Sequence, residues 1–428
     1  MRVLPTSLGR SFNGLWFGTG AANLGDGLAL FVLPLLALAI GTSPGGVAAV
    51  TTALTLAWPV FGLHAGWIVD RVDRRALLTG VNLARAVVLA GLTAAYMTGA
   101  LSLVLILVAA VLLGVAETLV DTALTSTIPR VVAPALRTRA NARIEATINI
   151  TNQLAGPPLA GLLAATTLAL ATGAGAALYV LAVAGILVMT LSPVPVTPVP
   201  VTPAPVEAPE PGTPQRTDGV VAGIRYLWRQ PVVRTLTLYT ALMNVVWAAH
   251  GALFVVYAVA PGPLGLSTTQ YGLLLTAMAV GGLVASMVVE PLRRRFGVTT
   301  LLVADAAGTV LLVLPVAMEA SAWVVAAGAV VAGAGSSIWR ILVATIRQNL
   351  SPPELLGRIY AASRVISWGI LPPSAAVAGV IAEVWGVRAA FVAATVLALA
   401  VMAAFIRYAL RTDLSSAIDA TPAPSVSA

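Results

Sequence analysis

The chain has no cysteine and no lysine, and only 9% of its 428 residues are charged. The absence of cysteine excludes disulfide bonds, thiolate metal sites and cysteine nucleophiles. Soluble domains contain about 25% charged and roughly 45–50% apolar residues. With 59% hydrophobic residues, this chain lies outside that class and is an integral membrane protein by composition. The net charge of +8 arises from 24 arginines and 16 acidic residues.

Long apolar runs, separated by polar residues, glycine or proline, recur along the whole chain. A helix needs about 20 apolar residues to cross a bilayer, and twelve runs satisfy this requirement. We therefore predict an all-α membrane protein with two pseudo-symmetric six-helix bundles. The twelve predicted transmembrane helices cover residues 13–40, 46–69, 76–98, 101–127, 140–165, 168–191, 232–259, 269–290, 298–318, 321–346, 357–383 and 388–410.

Arginine is concentrated in alternate loops between these spans. The loops after spans 2, 4, 6, 8 and 10 carry it, whereas Arg388 is the single arginine in a loop of the opposite side. Cytoplasmic loops of membrane proteins are enriched in basic residues. The pattern therefore predicts a multi-pass protein of the cell inner membrane with both termini in the cytoplasm, rather than a partner for nucleic acid.

A proline-rich segment separates the two predicted bundles. Residues 192–214 contain nine prolines, which is typical of an extended spacer without a hydrophobic core. The basic, tryptophan-bearing segment GIRYLWRQP that follows predicts a helix at the membrane interface. The predicted units are an N-terminal bundle (1–191), a cytoplasmic linker (192–218), an interfacial helix (219–230), a C-terminal bundle (231–411) and a disordered tail (412–428).

Short motifs of the first half return in the second half. DRVDRR at 70–75 has a counterpart in EPLRRR at 290–295, and Pro157-Pro158 has one in Pro372-Pro373. A repeat of six spans is characteristic of transporters that bind their substrate between the halves, near the bilayer midplane.

The segment GLHAGWIVDRVDRR at 62–75 resembles the signature between helices 2 and 3 of the major facilitator superfamily. The resemblance covers essentially the whole chain. Within that superfamily, ETLVDTALTSTIPRVV at 117–132 and AGPPLAGLL at 155–163 resemble the drug- and siderophore-exporter branch of bacterial secondary transporters. This resemblance implies efflux coupled to protons by alternating access.

Span 5 carries a further point of resemblance. Gly156, Pro157 and Gly161 are similar to the helix-5 motif of proton-coupled exporters. The motif has additional upstream glycines, and Arg143 and Asn152 stand at those positions in this chain. The resemblance implies antiport, but it rests on only part of the helix-5 motif.

The first of these motifs also predicts a latch between the two halves. Glycines without side chains allow helix 2 to approach a neighbour closely, and a carboxylate at the membrane edge can meet a helix N-terminus of the other half. We predict that the motif closes the cytoplasmic side in the outward-open state. Its residues are Gly62, Gly66, Asp70, Arg71, Arg74 and Arg75.

Ionisable residues inside the spans are functional candidates, because each costs about 2.5–3.5 kcal/mol even on the lenient insertion scale. Arg85 lies on span 3, and Glu117 and Asp121 lie on span 4. Asp305 and Arg340 occupy the equivalent positions of Arg85 and Asp121 in the second half, with the charges exchanged. We predict two ion pairs, Arg85 with Asp121 or Glu117, and Asp305 with Arg340.

Asp26 has no partner in this scheme. It lies in the middle of span 1, within NLGDG at 23–27. A carboxyl group in an apolar surrounding favours its neutral form, so it can take up and release a proton during transport. We predict proton coupling at Asp26, with Glu117 and Asp121 as further candidates; a helix-packing role for Asp26 is the alternative.

Polar and aromatic residues inside the spans predict the substrate cavity. Trp247 and Trp339 lie well inside spans 7 and 10, which line the cavity in the superfamily that the chain resembles. Their rings could stack on a lipophilic substrate, and core packing is the alternative for each. Asn23, Asn152 and Asn244 complete the predicted cavity.

The predicted function is secondary active export of small lipophilic molecules, drugs or a natural product, driven by protons. We expect a monomer in the bilayer, without cofactor, metal or nucleic acid. ATP drive is disfavoured because the sequence has no phosphate-binding GxxxxGK[ST] loop. An importer or facilitator on the same fold is the alternative. An enzyme with Asp70 and Asp73 as magnesium ligands is a further alternative; against it, Arg293 replaces Asp73 in the second half.

Overall fold

The computed structural model describes residues 8–133, 136–189, 218–352 and 355–419, and these residues are predominantly helical. The helices are α1 (Arg10–Ala39), α2 (Pro44–Arg71), α3 (Arg74–Met97), α4 (Leu103–Val131), α5 (Arg137–Ile148), α6 (Gly156–Thr166), α7 (Leu168–Val188), α8 (Asp218–Arg229), α9 (Pro231–Ala258), α10 (Thr268–Phe296), α11 (Val298–Ala317), α12 (Ala322–Asn349), α13 (Leu356–Gly369), α14 (Leu371–Trp385), α15 (Val387–Ala409) and α16 (Leu414–Asp419).

Within this described part, 11 helical segments are long and apolar enough to cross a membrane, with α13 and α14 counted together as one segment. The fifth crossing is interrupted, because a π-helical segment over Asn149–Ala155 joins α5 to α6. Proline near the start of α6 cannot donate a backbone hydrogen bond to the preceding turn, which favours such a break. The all-α fold with twelve crossings is confirmed, and the break in the fifth is a feature that the apolar pattern did not predict.

The same helix pairs recur in both halves. Helix α1 packs on α7 as α9 packs on α15, and α2 packs on α4 as α10 packs on α12. Helix α3 likewise packs on α7 as α11 packs on α15. The repeat seen in the sequence is therefore a repeat of packing, as expected for two pseudo-symmetric bundles.

Glycines bring these helices into backbone contact. Gly114 of α4 lies against the carbonyl of Leu54 of α2, and Gly333 of α12 lies against the carbonyl of Met278 of α10. Small residues allow helices to approach closely where no hydrophobic effect drives their association. The two equivalent pairs therefore depend on the same device.

The halves contact each other at the side of the membrane where α2 and α10 begin, here called the arginine-poor side. The Gly45 N–H donates to Glu383 Oε2 at 3.1 Å, which joins α2 to α14. The Thr268 hydroxyl donates to the Gly161 carbonyl at 3.1 Å, which joins α10 to α6. These contacts seal the space between the halves on this side.

The halves separate toward the opposite, arginine-rich side, where α2 ends and α3 begins. A methyl group at Gly62 or Gly66 of α2 would meet no described atom within 4 Å beyond the backbone of its own helix. Helix α2 is thus in contact with the other half over its first part and free of it at its end.

Helix α8 lies where the interfacial helix was predicted, before the second bundle. The Tyr226 hydroxyl donates to the Leu350 carbonyl at 2.6 Å, and Leu227 is buried while Trp228 is exposed. These contacts attach α8 to the C-terminal half. The predicted linker over 192–218 lies outside the described residues up to residue 217, and the position of α8 at a membrane surface stays a prediction.

The prediction of a disordered tail from residue 412 is wrong for its first part. Helix α16 packs on α12, and the Asn349 side chain donates to the Ile418 carbonyl at 2.6 Å. Leu414 and Ile418 are buried, so this segment contributes apolar surface to the core. Residues 420–428 lie outside the described part.

The glycine contacts lead to a test of the packing. We expect Gly114→Ala to destabilise the protein by about 1–3 kcal/mol, because the added methyl group would overlap the Leu54 carbonyl. Gly91→Ala in α3 is the matched control, since a methyl group there meets no described atom within 4 Å. Thermal unfolding in lipid nanodiscs measures both; equal stability of the two variants would contradict the packing described.

Candidate functional site

A central cavity lies between the two halves and opens toward the arginine-rich side. It consists of two adjoining lobes of about 580 and 630 Å³, which share Trp247, Ser336 and Arg340. The smaller lobe is lined mainly by α9, α12 and α13, and the larger one by α1, the π-helical segment, α10 and α12. Both volumes are in the range of small-molecule binding sites.

Four of the five predicted cavity residues line these lobes. Asn244, Trp247 and Trp339 line the smaller lobe, and Asn152 and Trp247 line the larger one. Asn23 does not line either lobe: its side-chain amide donates to the Thr19 carbonyl at 3.0 Å, within its own helix. The prediction for Asn23 is therefore wrong.

The two predicted cavity tryptophans differ in their surroundings. Trp339 is buried, its indole N–H donates to the Thr240 hydroxyl at 3.0 Å, and its ring packs edge-on against Phe405 at 5.3 Å. Trp247 is half-buried and borders both lobes. Trp339 thus combines the cavity and core roles, whereas Trp247 is the better placed of the two to meet a ligand.

A buried ion pair crosses the middle of the N-terminal half. Arg85 Nη1 lies 3.2 Å from Asp26 Oδ1, and the Tyr179 hydroxyl donates to the same oxygen at 2.7 Å. Arg85 and Tyr179 are each about 1% exposed. The three side chains come from α3, α1 and α7, so the pair holds three helices together.

This pair corrects two predictions. Asp26 is not a lone carboxylate, and Arg85 is paired with Asp26 rather than with Glu117 or Asp121. Glu117 and Asp121 lie on α4 near enough for their charges to interact with Arg85, but no ion pair within 4 Å joins them to it in the described part of the chain. The four charged groups therefore form one cluster, in which the salt bridge is between Arg85 and Asp26.

The predicted pair of Asp305 with Arg340 is also wrong for this conformation. Both residues line the smaller lobe, yet among the described residues neither has an ion-pair partner within 4 Å. Asp305 is buried, and Arg340 is exposed to the cavity. The repeat explains the difference: 220 residues on from Asp26, the partner of Arg85, stands Val246, so Asp305 has no basic residue at the equivalent position.

The predicted gating motif forms an ordinary turn between α2 and α3, on the arginine-rich side where the two halves are apart. Arg71 bonds within its own helix, and Arg75 donates to the Leu187 carbonyl of α7. Arg74 is half-buried, and the Asp70 side chain lies outside the described part. With Gly62 and Gly66 free of the other half, the latch of the outward-open state stays a prediction.

The two halves meet along two lines of contact, here called seams, one between α2 and α14 and the other between α6 and α10. The helix-5 motif lies on the second seam. Gly156 packs against Gly27 of α1, whereas Pro157 packs against Gly272 and Gly161 against Thr268, both of α10. The π-helical segment just before it contributes Asn152 to the cavity. Single π-turns inside α-helices are frequent at functional sites, so this segment joins the seam to the cavity.

Two residues at the site were not predicted from the sequence. Tyr179, the second partner of Asp26, is the single tyrosine of α7, a helix whose other residues are apolar apart from Thr172. Arg364 of α13 has its guanidinium carbon 4.9 Å from the ring centre of Trp58 and 5.1 Å from that of Trp368. The available signal was an arginine inside an apolar span, followed one turn later by Trp368. Trp58 belongs to α2, so Arg364 makes a contact between the halves.

No group of three or more histidine, cysteine, aspartate or glutamate side chains within the described ranges could hold a metal ion. The acidic cluster around Arg85 is instead a set of carboxyl groups beside a fixed positive charge. Such a cluster is suited to bind and release protons.

Comparison with known proteins gives a consistent result. A family model described as Major Facilitator Superfamily matches residues 15–372. The multidrug efflux pump Tap of Mycolicibacterium fortuitum is 25% identical over 420 residues, covering 94% of this chain and 96% of Tap. An uncharacterized MFS-type transporter, y4rN of Sinorhizobium fredii, is 27% identical over 161 residues, which span 38% of this chain and 40% of that protein.

Solved structures with the same fold include two transporters. The nucleoside transporter NupG superposes with a TM-score of 0.73 at 11% identity, covering 95% of this chain and all (100%) of NupG. A bacterial homologue of the iron transporter ferroportin, in an inward-facing state, has a TM-score of 0.68 at 17% identity, with 94% and 100% coverage. At these identities the likeness concerns the fold.

The buried pair leads to a test of its role. We expect Asp26→Asn to destabilise the protein by about 3–5 kcal/mol, because it leaves the charge of Arg85 buried without a salt bridge. The double variant Asp26→Asn/Arg85→Gln should recover a large part of this loss. Thermal unfolding in nanodiscs measures both effects.

The matched control breaks an exposed pair. Glu319→Gln removes the partner of Arg388, which lies 3.4 Å away with both side chains more than half exposed, and should change stability by at most about 1 kcal/mol. If Asp26→Asn were as stable as this control, the Arg85 pair would have no structural role.

Proposed function

The chain belongs to the Major Facilitator Superfamily and is a membrane transporter, not an enzyme; we propose that it exports small lipophilic molecules in exchange for protons. The observation that carries this proposal is the position of the tryptophan-lined cavity near the acidic cluster of the N-terminal half, whose Asp121 interacts with Arg364 of the cavity lining. The similarity to the efflux pump Tap along nearly the whole chain supports the direction of transport.

The distribution of arginine supports the orientation. Loops on the arginine-rich side carry nearly all the basic residues of the short loops, and such loops are typically cytoplasmic. We place the protein in the plasma membrane. In this orientation both termini are cytoplasmic, and the cavity opens to the cytoplasm. The conformation is then inward-open, ready to take up a substrate from inside.

The lining of the larger lobe supports a lipophilic substrate. Apolar side chains that are strongly exposed, such as Ile150 and Met287, line it together with Leu283. Its polar lining residues include Asn152 and Gln153 of the π-helical segment. A mostly apolar cavity with a few placed polar groups is typical of sites for drug-sized ligands.

The contacts of the acidic cluster suggest which groups carry the proton. Asp26 accepts from Arg85 and from Tyr179, so it serves to hold Arg85 in place. Glu117 and Asp121 have no salt bridge among the described residues and lie near Asp26 as well as Arg85. We therefore assign proton uptake to Glu117 and Asp121, while the salt bridge between Arg85 and Asp26 is kept.

Import or facilitated diffusion on the same fold is the second candidate. NupG, a nucleoside transporter by name, has the same fold, and the fold alone is compatible with either direction. Export coupled to protons moves the substrate out of the cytoplasm against the entry of protons, whereas the second candidate moves it inward or without any dependence on the gradient.

Inverted membrane vesicles test export and its coupling. In these vesicles the cytoplasmic side faces outward, so we expect a lipophilic fluorescent dye to accumulate in the lumen only when the lumen is made acidic. We expect Glu117→Gln and Asp121→Asn each to reduce this accumulation about 10-fold or more, because coupling requires a group that binds the proton. Both variants should still exchange dye across the membrane without a gradient.

The control for this experiment is Glu319→Gln, which removes an acidic side chain on the arginine-poor side, away from the cavity. It should accumulate dye like the wild type. If dye entered wild-type vesicles equally with and without the proton gradient, a facilitator would be favoured. Full accumulation by the Glu117→Gln/Asp121→Asn double variant would show that these residues have no part in coupling.

The open latch gives a second test. Gly66→Leu should leave the inward-open conformation as stable as the wild type, because a Cβ atom at this position meets no described atom of another helix within 4 Å. It should nevertheless abolish transport, since α2 could no longer approach its neighbour when the arginine-rich side closes. Because the chain has no cysteine, the substitution Ser336→Cys in the cavity can report accessibility by labelling.

In this labelling background, Gly66→Leu should keep the thiol introduced by Ser336→Cys open to a membrane-impermeant reagent on the cytoplasmic side at all times. Gly91→Leu is the matched control, since it adds the same side chain to another glycine with free space and should transport normally. Normal transport by Gly66→Leu would contradict the latch.

A further inference from the structure

Three arginines of the C-terminal half line the smaller lobe of the cavity. Arg340 and Arg347 lie on α12, and Arg364 lies on α13. No carboxylate lies within 4 Å of any of the three guanidinium groups among residues 8–133, 136–189, 218–352 and 355–419. Within these ranges, the cavity therefore presents positive charges without a direct counter-ion.

Two of these arginines lie deep in the protein. Arg340 is nine residues from the end of α12 and Arg364 is eight residues from the start of α13, which places them about 14 and 12 Å from the helix ends. Charged groups at such depth are costly and are normally paired or directed to a ligand path. The N-terminal half follows this rule, because its Arg85 is paired with Asp26.

The acidic groups near these arginines do not supply the missing partner. Asp305 and Glu145 also line the lobe, so three arginines face two carboxyl groups there. Among the described residues, Asp305 has no ion-pair partner within 4 Å. Asp121 of the other half interacts electrostatically with Arg364, but from beyond 4 Å. In the described part of the chain, a direct anionic partner for Arg340 and Arg364 is thus still lacking.

The surroundings of Arg364 add an aromatic requirement. Its guanidinium lies near the rings of Trp58 and Trp368, whose centres are 6.3 Å apart, and Trp368 also lines the lobe with Trp247. Planar guanidinium groups hold carboxylate, sulfonate or phosphate groups with two parallel hydrogen bonds. Tryptophan rings stack on aromatic ligands.

We propose that the substrates of this transporter are aromatic anions, whose acidic group binds Arg340 and Arg364 and whose rings pack on Trp247 and Trp368. This inference rests on the proposed function, because it assumes that the central cavity is the substrate site. It selects, among lipophilic molecules, those that carry a carboxylate, sulfonate or phosphate, and it assigns substrate binding to the C-terminal half.

The test compares matched probes on the full-length protein in phosphatidylcholine nanodiscs, a lipid without net charge. Isothermal titration calorimetry measures binding of 2-naphthalenesulfonate, of its cationic analogue 2-naphthylmethylammonium and of the aliphatic octanesulfonate. We expect the aromatic sulfonate to bind about 10-fold more tightly than either of the other two, because only it satisfies both arginine and tryptophan.

Variants of the site locate the binding. Arg340→Gln and Arg364→Gln should each weaken sulfonate binding about 10-fold, and Arg364→Lys should weaken it less, since it keeps the charge but not the planar group. Arg388→Gln is the matched control, because it removes an arginine on the arginine-poor side that is paired with Glu319. It should bind the probe like the wild type.

Two results would overturn the inference. The first is that the wild-type protein binds the ammonium probe more tightly than the sulfonate. This result does not depend on the folding of any variant. The other is unchanged sulfonate binding by Arg340→Gln/Arg364→Gln. In either case, gradient-driven accumulation of a cationic dye in inverted vesicles would leave the proposed export function intact, whereas its failure for every charge class would reject export itself.

Discussion

The contact between the two halves at the arginine-poor side determines the rest of the architecture. Glycine allows this contact: Gly379 meets Ala48 on one seam, and Gly161 and Gly272 meet the backbone of the facing half on the other. Larger residues would hold the helices apart, and the halves would then have no common edge about which to move. Because the seams are closed on one side, separation on the other side necessarily creates the cavity, with its depth set by where the contacts end.

The two halves treat buried charge differently, and this difference suggests a division of labour. In the N-terminal half, a salt bridge and a tyrosine hydroxyl fix Arg85 and Asp26, and further carboxyl groups lie close by. In the C-terminal half, Arg340 and Arg364 face the cavity with no carboxylate bonded to them among the described residues. A pseudo-symmetric pair of bundles can therefore provide proton binding in one half and substrate binding in the other, while the shared fold keeps their movements linked.

The fold was largely predictable from the sequence, and the site only in part. Apolar runs report the bilayer directly, so twelve crossings follow from composition. The pairing of charges depends on which helix faces which, and a linear pattern does not contain this information. The repeat misled in one respect: it suggested that equivalent positions 85 and 305 would be paired alike, whereas Asp26 has Val246 at its equivalent position. The π-helical break was not predicted because proline kinks and π-turns have no distinct apolar pattern.

Arg364 connects the substrate site to the movement of the halves. It belongs to α13, yet one of its two tryptophan neighbours is Trp58 of α2 in the other half. Along α2, Ala48 lies in the closed seam, Trp58 meets Arg364, and Gly62 is already free. The cation–π contact thus stands where the seam ends and the cavity begins. A ligand that binds the Arg364 guanidinium acts at the boundary that must shift when the cavity closes, so occupancy of the site and the position of α2 cannot be independent.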